Sequence, residues 1–326
     1  STLLASSAAS DVYKRQTQII PYFGSWPEWI ELYFYSCGRN PMVDFIFYTD
    51  CPLPKHRYAN TIFHQCTFEE YKKLVGSALN LDYSIEKPYK LCDLKPFLGA
   101  VHEPELKEYD FWGFGDLDVV HGNLGMLVND KMLTQYDFIT THAFRVAGHF
   151  TLCRNNEYYR TLCFKIKNWQ KGLVDNKSYG YDEMDWSKLV NPFERNIDRV
   201  HRHILSRLGL ERNKCFNVLN RTLLKRKHLY EYDTTPNPRP WNECKYAIAW
   251  TYDIKSKKIT TPNGKELPYL HFMCFKKTPF IPNDNYWHEG YWTLDENFEK
   301  YKKIKFDYQK AVSYTHLRAH ETLANL

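Results

Sequence analysis

Two aspartates one residue apart, Asp116 and Asp118, follow directly on an apolar and aromatic run of the chain. The run Phe111–Phe114 predicts a buried strand, and burying a carboxylate that has no partner beside such a strand is costly. We therefore expect Asp116 and Asp118 at the end of the strand, in water or on a cation. Carboxylate oxygens are the ligands that hard divalent cations take, and an ion held on a diphosphate needs only one or two of them from protein. The spacing predicts a site for Mn²⁺ or Mg²⁺.

The first part of the chain predicts a sheet that can hold a ligand of that ion. Strands are expected over residues 18–24 and 43–50, with a helix between them over 28–36. A strand, a helix and a second strand in this order indicate a parallel sheet covered by helices, and such sheets bind ligands beyond the carboxyl ends of their strands. Gly24 and Asp50 lie at two of these ends.

A basic and acidic segment, residues 87–96, precedes the aspartates. On a helix Lys90 and Asp93 share one face. They could form an ion pair with each other. Alternatively they could hold a nucleotide, with Asp93 accepting from the ribose or base and Lys90 or Lys95 meeting phosphate. Both interpretations stay open at this point.

A second acidic group, Asp182 and Glu183, stands between aromatic residues. Acidic residues suit the first turn of a helix because of its dipole. The same carboxylates could instead face the hydroxyl of an acceptor. Neither alternative is favoured by the residues alone.

Several further elements can be predicted from local patterns. Ser25 with Glu28, and Thr67 with Glu70, have the spacing of a capping box and predict helices that begin near 28 and 68. Apolar spacing predicts a helix over 157–169 and strands over 136–141, 148–156 and 269–277. A hairpin is expected over 250–260. The strand 269–277 carries His271, Lys276 and Lys277.

The composition narrows the class of protein. The formal net charge of +6 is a mild excess that suits a small anionic ligand or a membrane surface and does not call for nucleic acid. Nine cysteines without a Cys-x-x-Cys pair indicate reduced thiols, not a disulfide framework or zinc site. No apolar run approaches the roughly 20 residues that span a bilayer. We expect a cytoplasmic protein, with peripheral contact to the inner face of the membrane as an option through the basic stretch 195–227.

Both ends of the chain are interpreted as translated sequencing adapter. One back-translation of residues 11–16 has a reverse complement that encodes Val-Ser-Tyr-Thr-His, which is residues 312–316. We therefore expect 1–16 and 312–326 to be artefactual. The remainder divides into a core, 17–190, and a helical and C-terminal part, 191–311, that completes the site.

Three segments together resemble the GT-A-type glycosyltransferases, and most closely a bacterial family of uncharacterised, glycosyltransferase-like proteins. The segments are Pro-Tyr-Phe-Gly at 21–24, Pro-Tyr-Lys-Leu-Cys-Asp at 88–93 and Tyr-Asp-Phe-Trp-Gly-x-x-Asp-x-Asp at 109–118. The resemblance covers most of 19–190 and implies that the core, 17–190, binds a nucleotide sugar. It implies an α/β fold with a mostly parallel, Rossmann-like central sheet flanked by helices, and a helical or irregular C-terminal addition.

The resemblance also implies roles for residues. Asp116 and Asp118 would bind the ion that bridges the donor diphosphate, with Asp118 as the first choice of direct ligand. His271 is similar in position to a late metal-binding histidine, although no glycine follows it shortly as in some families. The other assignments are nucleotide binding by Tyr22, Asp50, Lys90 and Asp93, phosphate binding by Lys276 or Lys277, and acceptor-side chemistry by Asp182 and Glu183.

The expected function is a metal-dependent glycosyltransferase that moves a sugar from a nucleotide sugar, a UDP-sugar in first place, to a glycan or lipid-linked acceptor in bacterial surface polysaccharide synthesis. One alternative is a nucleotidyltransferase on a similar fold, but no glycine-rich phosphate loop occurs between residues 19 and 50. The other alternative is a carbohydrate-binding protein without catalysis, against which the intact Asp-x-Asp argues.

Overall fold

The structure, a computed structural model, describes residues 15–142, 145–192, 204, 207–208, 224–228, 249–271, 297–307 and 310–316. This part of the chain is mixed α/β, with a large, mostly parallel sheet flanked by helices. The strands are β1 Gln16–Pro21, β2 Val43–Thr49, β3 Thr61–Gln65, β4 Phe111–Gly115, β5 Val119–His121, β6 Phe138–Thr140, β7 Phe150–Arg154, β8 Arg226–His228, β9 Ala249–Asp253, β10 Lys258–Thr260, β11 Glu266–Leu267, β12 Tyr269–His271, β13 Tyr301–Asp307 and β14 Lys310–His316.

The helices pack on the faces of this sheet or connect its strands. The α-helices are α1 Ile30–Gly38, α2 Phe68–Leu79, α3 Leu98–Val101, α4 Asp130–Gln135, α5 Glu157–Thr161, α6 Trp169–Val174 and α7 Ser187–Val190. Segments of 3-10 helix occupy Pro88–Phe97, Glu105–Glu108, Leu124–Met126, Leu162–Lys165 and Phe298–Lys300. A π-helical turn spans Asp182–Trp186.

The main sheet has seven strands in the order β3-β2-β1-β4-β7-β6-β8. Strands β3, β2, β1 and β4 run parallel, β7 is antiparallel to both β4 and β6, and β8 is parallel to β6. The predicted opening of strand, helix and parallel strand is therefore confirmed. Buried aromatic and aliphatic side chains form a core on each face of the sheet, as expected for a sheet covered on both sides.

The C-terminal strands form separate, smaller sheets. Five of them are ordered β11-β10-β9-β13-β14, and β12 pairs with β5. The predicted hairpin is confirmed as the antiparallel pair β9–β10. The segments assigned to adapter sequence contribute Gln16 to β1 and residues 312–316 to β14. The basic stretch 195–227 lies mostly outside the described residues.

The structure contains one of the two predicted capping boxes. The capping box is confirmed at Thr67, whose side chain accepts from the Glu70 backbone while the Glu70 carboxylate accepts from the Thr67 backbone. The predicted capping box of Ser25 and Glu28 is wrong, because α1 begins two residues after Glu28, with Trp29 at its N-cap and no side-chain cap. The predicted helix 157–169 is also wrong in extent. It breaks after α5 into a 3-10 turn, and Ile166 leaves it with an extended backbone.

His121, in β5, is a buried histidine among aromatic rings. Its ring lies 5.5 Å from Tyr33, 5.3 Å from Phe45 and 6.5 Å from Phe150, measured between centroids. Neither ring nitrogen has a hydrogen-bond partner among the described residues. Burial lowers the pKa of His121 to about 3, because an imidazolium ion in this apolar environment would lose its hydration.

This histidine should make the fold sensitive to acid. Below the ordinary histidine pKa of about 6.5 the unfolded chain binds a proton that folded His121 does not, so stability falls as the pH drops from about 6.5 towards 3. Between pH 7.5 and 5.0 the loss from this one group should be about 2 kcal/mol. We expect His121→Leu to remove that part of the pH dependence in urea unfolding at the two pH values. The exposed His56 provides a control, and His56→Leu should leave the difference unchanged. An unchanged difference in His121→Leu would contradict the prediction.

Candidate metal centre

Three side chains that could hold a metal ion, Asp116, Asp118 and His271, lie where β4 turns into β5, and we call them the metal cluster. Strand β4 ends at Gly115, and the backbone carbonyl of the buried residue Leu117 accepts a hydrogen bond of 2.8 Å from Trp29 Nε1. The anchored Leu117 separates the two aspartates. Because β5 begins at Val119, Asp118 directly precedes the strand to which β12 is bonded.

Antiparallel pairing brings His271 to the aspartates. Strand β12 lies against β5 with His271 opposite Val119, so a residue about 150 positions later in the chain lies next to Asp118. Its Nε2 is 3.6 Å from Asp118 Oδ2, and both side chains are buried. The sequence pattern alone supplied no reason for this pairing, which only the resemblance suggested.

The three side chains fit a divalent cation. Each offers one ligand atom, and these atoms lie within 4.8 Å of one another. Two ligands on opposite sides of an ion are about 4.2 Å apart, because each bond is roughly 2.1 Å long. A small side-chain rotation would therefore close the set. Two carboxylate oxygens and one imidazole nitrogen are a donor set for Mn²⁺ or a similar ion.

A second histidine supports His271 from behind. The His149 ring stacks on that of His271, with 4.0 Å between centroids and 21° between planes. Its Nε2 lies 3.1 Å from Thr141 Oγ1 and 3.0 Å from Tyr269 Oη. Burial, together with the neighbouring His271, lowers the pKa of His149 well below its usual range. A neutral ring held by two hydroxyls fixes the plane in which His271 can lie. Sequence inspection missed His149, because it stands before a strand with no motif around it.

Lys95 links the metal cluster to Asp182. Its Nζ donates to Asp116 Oδ1 over 2.6 Å and to the Gly148 carbonyl over 3.1 Å, and it lies 3.7 Å from Asp182 Oδ2. A Cβ built on Gly148 would lie 2.7 Å from Asp182 Oδ2 and 3.0 Å from Lys95 Nζ. The absence of a side chain at Gly148 is what allows these groups to meet there. Burial lowers the pKa of Lys95, but the Asp116 and Asp182 carboxylates outweigh that effect and raise it well above the usual range.

Asp182 and Glu183 have different surroundings in the structure. Asp182 is buried beside Lys95, and burial, opposed by Lys95 and aided by Glu183 and Asp116, raises its pKa to about 6. The Glu183 side chain is 40% exposed and pairs with Arg145 over 2.9 Å. Both stand in the π-helical turn, in which the Trp186 N–H donates to the Tyr181 carbonyl. Asp182 therefore belongs to the site, and Glu183 lies at its rim.

Lys90 and Asp93 form the predicted ion pair, in a buried place. Lys90 Nζ is 2.8 Å from Asp93 Oδ2 and also donates to the Gly172 carbonyl over 2.7 Å. The other donors to Asp93 are the backbone N–H groups of residues 179–181, at 2.6 to 3.4 Å. Asp93 is fully buried. The pair thus fastens the loop that leads to Asp182, and these contacts keep both side chains within the fold.

The remaining assigned residues lie at the carboxyl ends of β1 and β2 or outside the described part. Tyr22 donates to the Ser25 carbonyl and stacks on Trp26 at 5.3 Å. Asp50 accepts from the Gly24 N–H over 2.8 Å, at a turn where Gly24 has a φ of 112°. Asp50, which follows β2, thus holds the loop after β1, the strand next to β4. Lys276 and Lys277 lie outside the described residues.

Comparison with known proteins places this arrangement in a family. A family described as "Family of unknown function (DUF6625)" matches residues 18–302, a range that contains the whole metal cluster, Lys95 and Asp182. The chain belongs to this DUF6625 family. No curated protein matches it. In this member of DUF6625, no helix in the described residues is long and apolar enough to cross a membrane, and the six cysteines there are all free thiols.

Proposed function

We propose that this DUF6625 protein is a metal-dependent glycosyltransferase that uses a nucleotide sugar. The observation that carries the proposal is the convergence of the metal cluster with a buried carboxylate, Asp182, through one lysine. Sugar transfer needs positive charge near a diphosphate leaving group and a base near an acceptor hydroxyl. The site offers candidates for both, on either side of the Lys95 ammonium.

Each residue of the site has a distinct task in this proposal. Asp116, Asp118 and His271 would hold a divalent cation, which supplies Lewis-acid stabilisation of the departing diphosphate when it is bound. Asp182 accepts the proton of the acceptor hydroxyl, since it is the more buried acid of the pair and its pKa of about 6 suits a base at neutral pH. Lys95 keeps Asp182 and Asp116 on either side of its ammonium group.

The donor would enter over the loop after β1. Tyr22 and Trp26 provide stacked aromatic rings at the carboxyl end of that strand, and β1 is the parallel neighbour of β4. Ligands of open α/β sheets bind at such ends. The acceptor would be a glycan or a lipid-linked sugar that reaches Asp182 past the Arg145–Glu183 pair. The setting we propose is surface polysaccharide synthesis in a bacterium.

The donor can be identified by thermal unfolding with UDP-, GDP-, CMP- and dTDP-sugars in the presence of Mn²⁺. A ligand at about 100 times its Kd stabilises the folded state by about 2.7 kcal/mol, which corresponds to several degrees in Tm. We expect one nucleotide class to raise Tm with Mn²⁺ and to lose this effect with EDTA. Turnover of that donor should stop with EDTA and return with Mn²⁺. Glycan binding without any nucleotide or metal response would contradict the proposal and favour a carbohydrate-binding protein.

A further inference from the structure

The ammonium of Lys95 lies on one of the proposed metal ligands. Its contact with Asp116 Oδ1, at 2.6 Å, is shorter than its distance of 3.7 Å to Asp182 Oδ2. The Lys95 side chain is 11% exposed, whereas that of Asp116 is 33% exposed. The lysine therefore approaches Asp116 from the interior, and the aspartate has its open side towards solvent.

The position of the ammonium is constrained by its surroundings. Lys95 stands in the 3-10 helix Pro88–Phe97, directly before Pro96, and its Nζ is also held by the Gly148 carbonyl. A Cβ at Gly148 would lie 2.7 Å from Asp182 Oδ2 and 3.0 Å from Lys95 Nζ, so a side chain there would displace one or both groups. The buried Lys95 cannot swing into water without breaking these contacts. A cation that enters the cluster would thus find a fixed positive charge on the far side of Asp116.

The charges of the site determine whether Lys95 strengthens or weakens the binding of a cation. Asp116, Asp118 and Asp182 are three carboxylates, and Lys95 is the ammonium that contacts two of them. When the three carboxylates and the ammonium are ionised, they sum to two negative charges, which one divalent cation balances. Removing Lys95 takes a positive charge away from Asp116 and so strengthens the attraction of the metal cluster for the ion.

We propose that Lys95 is a positioning residue that competes with the divalent cation for Asp116 and so lowers the metal affinity of the site. The inference rests on the proposed function, because it requires the metal cluster that the reaction would use. The lysine keeps the carboxylates paired when the ion is absent, and the ion must share Asp116 with it. A unit charge about 5 Å from a divalent ion changes binding by about tenfold even at the dielectric constant of water, and by more in a partly buried site.

Calorimetric titration of the purified protein with Mn²⁺, in the absence of any nucleotide, tests this directly. We expect Lys95→Met to tighten the Kd for Mn²⁺ by about tenfold or more, and Lys95→Arg, which keeps the charge, to stay within about threefold of the wild type. Lys95→Gln keeps a hydrogen-bond donor without the charge, so it should also tighten binding, and it replaces the methionine variant if that variant does not fold. Lys72→Met removes a lysine that pairs with Glu69 on α2, and it should leave the Kd unchanged.

A second readout uses stability. In EDTA the Tm of Lys95→Met should lie below that of the wild type, because the carboxylates of Asp116 and Asp182 have lost the Lys95 ammonium. Saturating Mn²⁺ should then raise the Tm of the variant by more than that of the wild type. A lysine with a merely structural role would lower both values together.

The outcomes separate this inference from the proposed function. If the wild type binds Mn²⁺ and neither Lys95→Met nor Lys95→Gln binds it more tightly, the competition is overturned while the metal-dependent function stands. If Mn²⁺ binds to these variants and not to the wild type, the competition is supported in its strongest form. If Mn²⁺ binds to none of the proteins, both proposals are overturned.

Discussion

Asp118→Asn is expected to weaken Mn²⁺ binding by about 100-fold or more and to reduce sugar transfer by about 10³-fold. The amide keeps the shape of the carboxylate and removes its charge, so the fold around it should persist. Asp118 is buried, and its Oδ2 lies 3.6 Å from the nitrogen of His271. At a buried site the lost charge cannot be replaced by solvent. Mn²⁺ titration and turnover of the donor identified by thermal unfolding are the two measurements.

A control variant separates this effect from a general loss of negative charge. Asp82 is exposed, and Asp82→Asn should leave both the Mn²⁺ affinity and the turnover unchanged. His271→Gln should weaken binding in the same direction as Asp118→Asn, because it removes the nitrogen ligand of the same cluster. Normal Mn²⁺ affinity in Asp118→Asn would remove the metal centre from the proposed function.

Asp182→Asn should lower kcat by about 10² to 10⁴-fold and leave Mn²⁺ affinity within a few fold of the wild type. The reason is that Asp182 faces Lys95 and does not belong to the metal cluster. The wild-type kcat should rise between pH 5 and 7, since the base must be ionised and its pKa is raised to about 6. Steady-state kinetics across this pH range, with Mn²⁺ saturating, provide the measurement.

Glu183→Gln is the matched control, because it makes the same chemical change one residue along the chain. Glu183 is partly exposed and pairs with Arg145, so we expect a change of less than about tenfold, in KM for the acceptor more than in kcat. A larger loss of kcat in Glu183→Gln than in Asp182→Asn would reverse the roles that the structure suggests for the two acids.

The positions of Asp116 and Asp118 could be predicted from the sequence for a physical reason. Carboxylates that follow a buried strand have few places to go, and Asp116 and Asp118 lie at the end of β4 as expected. The parallel opening of the sheet and the helix that is capped by Thr67 were also predictable, because periodicity and capping act over a few neighbouring residues.

The placement of Lys95 and Asp182 in the site depends on contacts between distant parts of the chain. Nothing near Lys95 distinguishes it from Lys90, yet one reaches the metal cluster and the other is bound inside a loop. Their different fates follow from how the 3-10 helix is oriented against Gly148 and Gly172. Likewise, Asp182 and Glu183 are equivalent in sequence, and only the π-helical turn determines which of them is buried.

The pairing of β5 with β12 has a consequence for the order in which the protein folds. Strands β1 to β7 come from the first half of the chain, whereas His271 arrives after a loop of about 150 residues has closed. Closing long loops is slow, and during synthesis the earlier residues emerge first. The newly made chain can therefore build most of its central sheet while the candidate metal ligands are still two carboxylates. An ion would then be captured with full affinity only after the segment that carries His271 has left the ribosome.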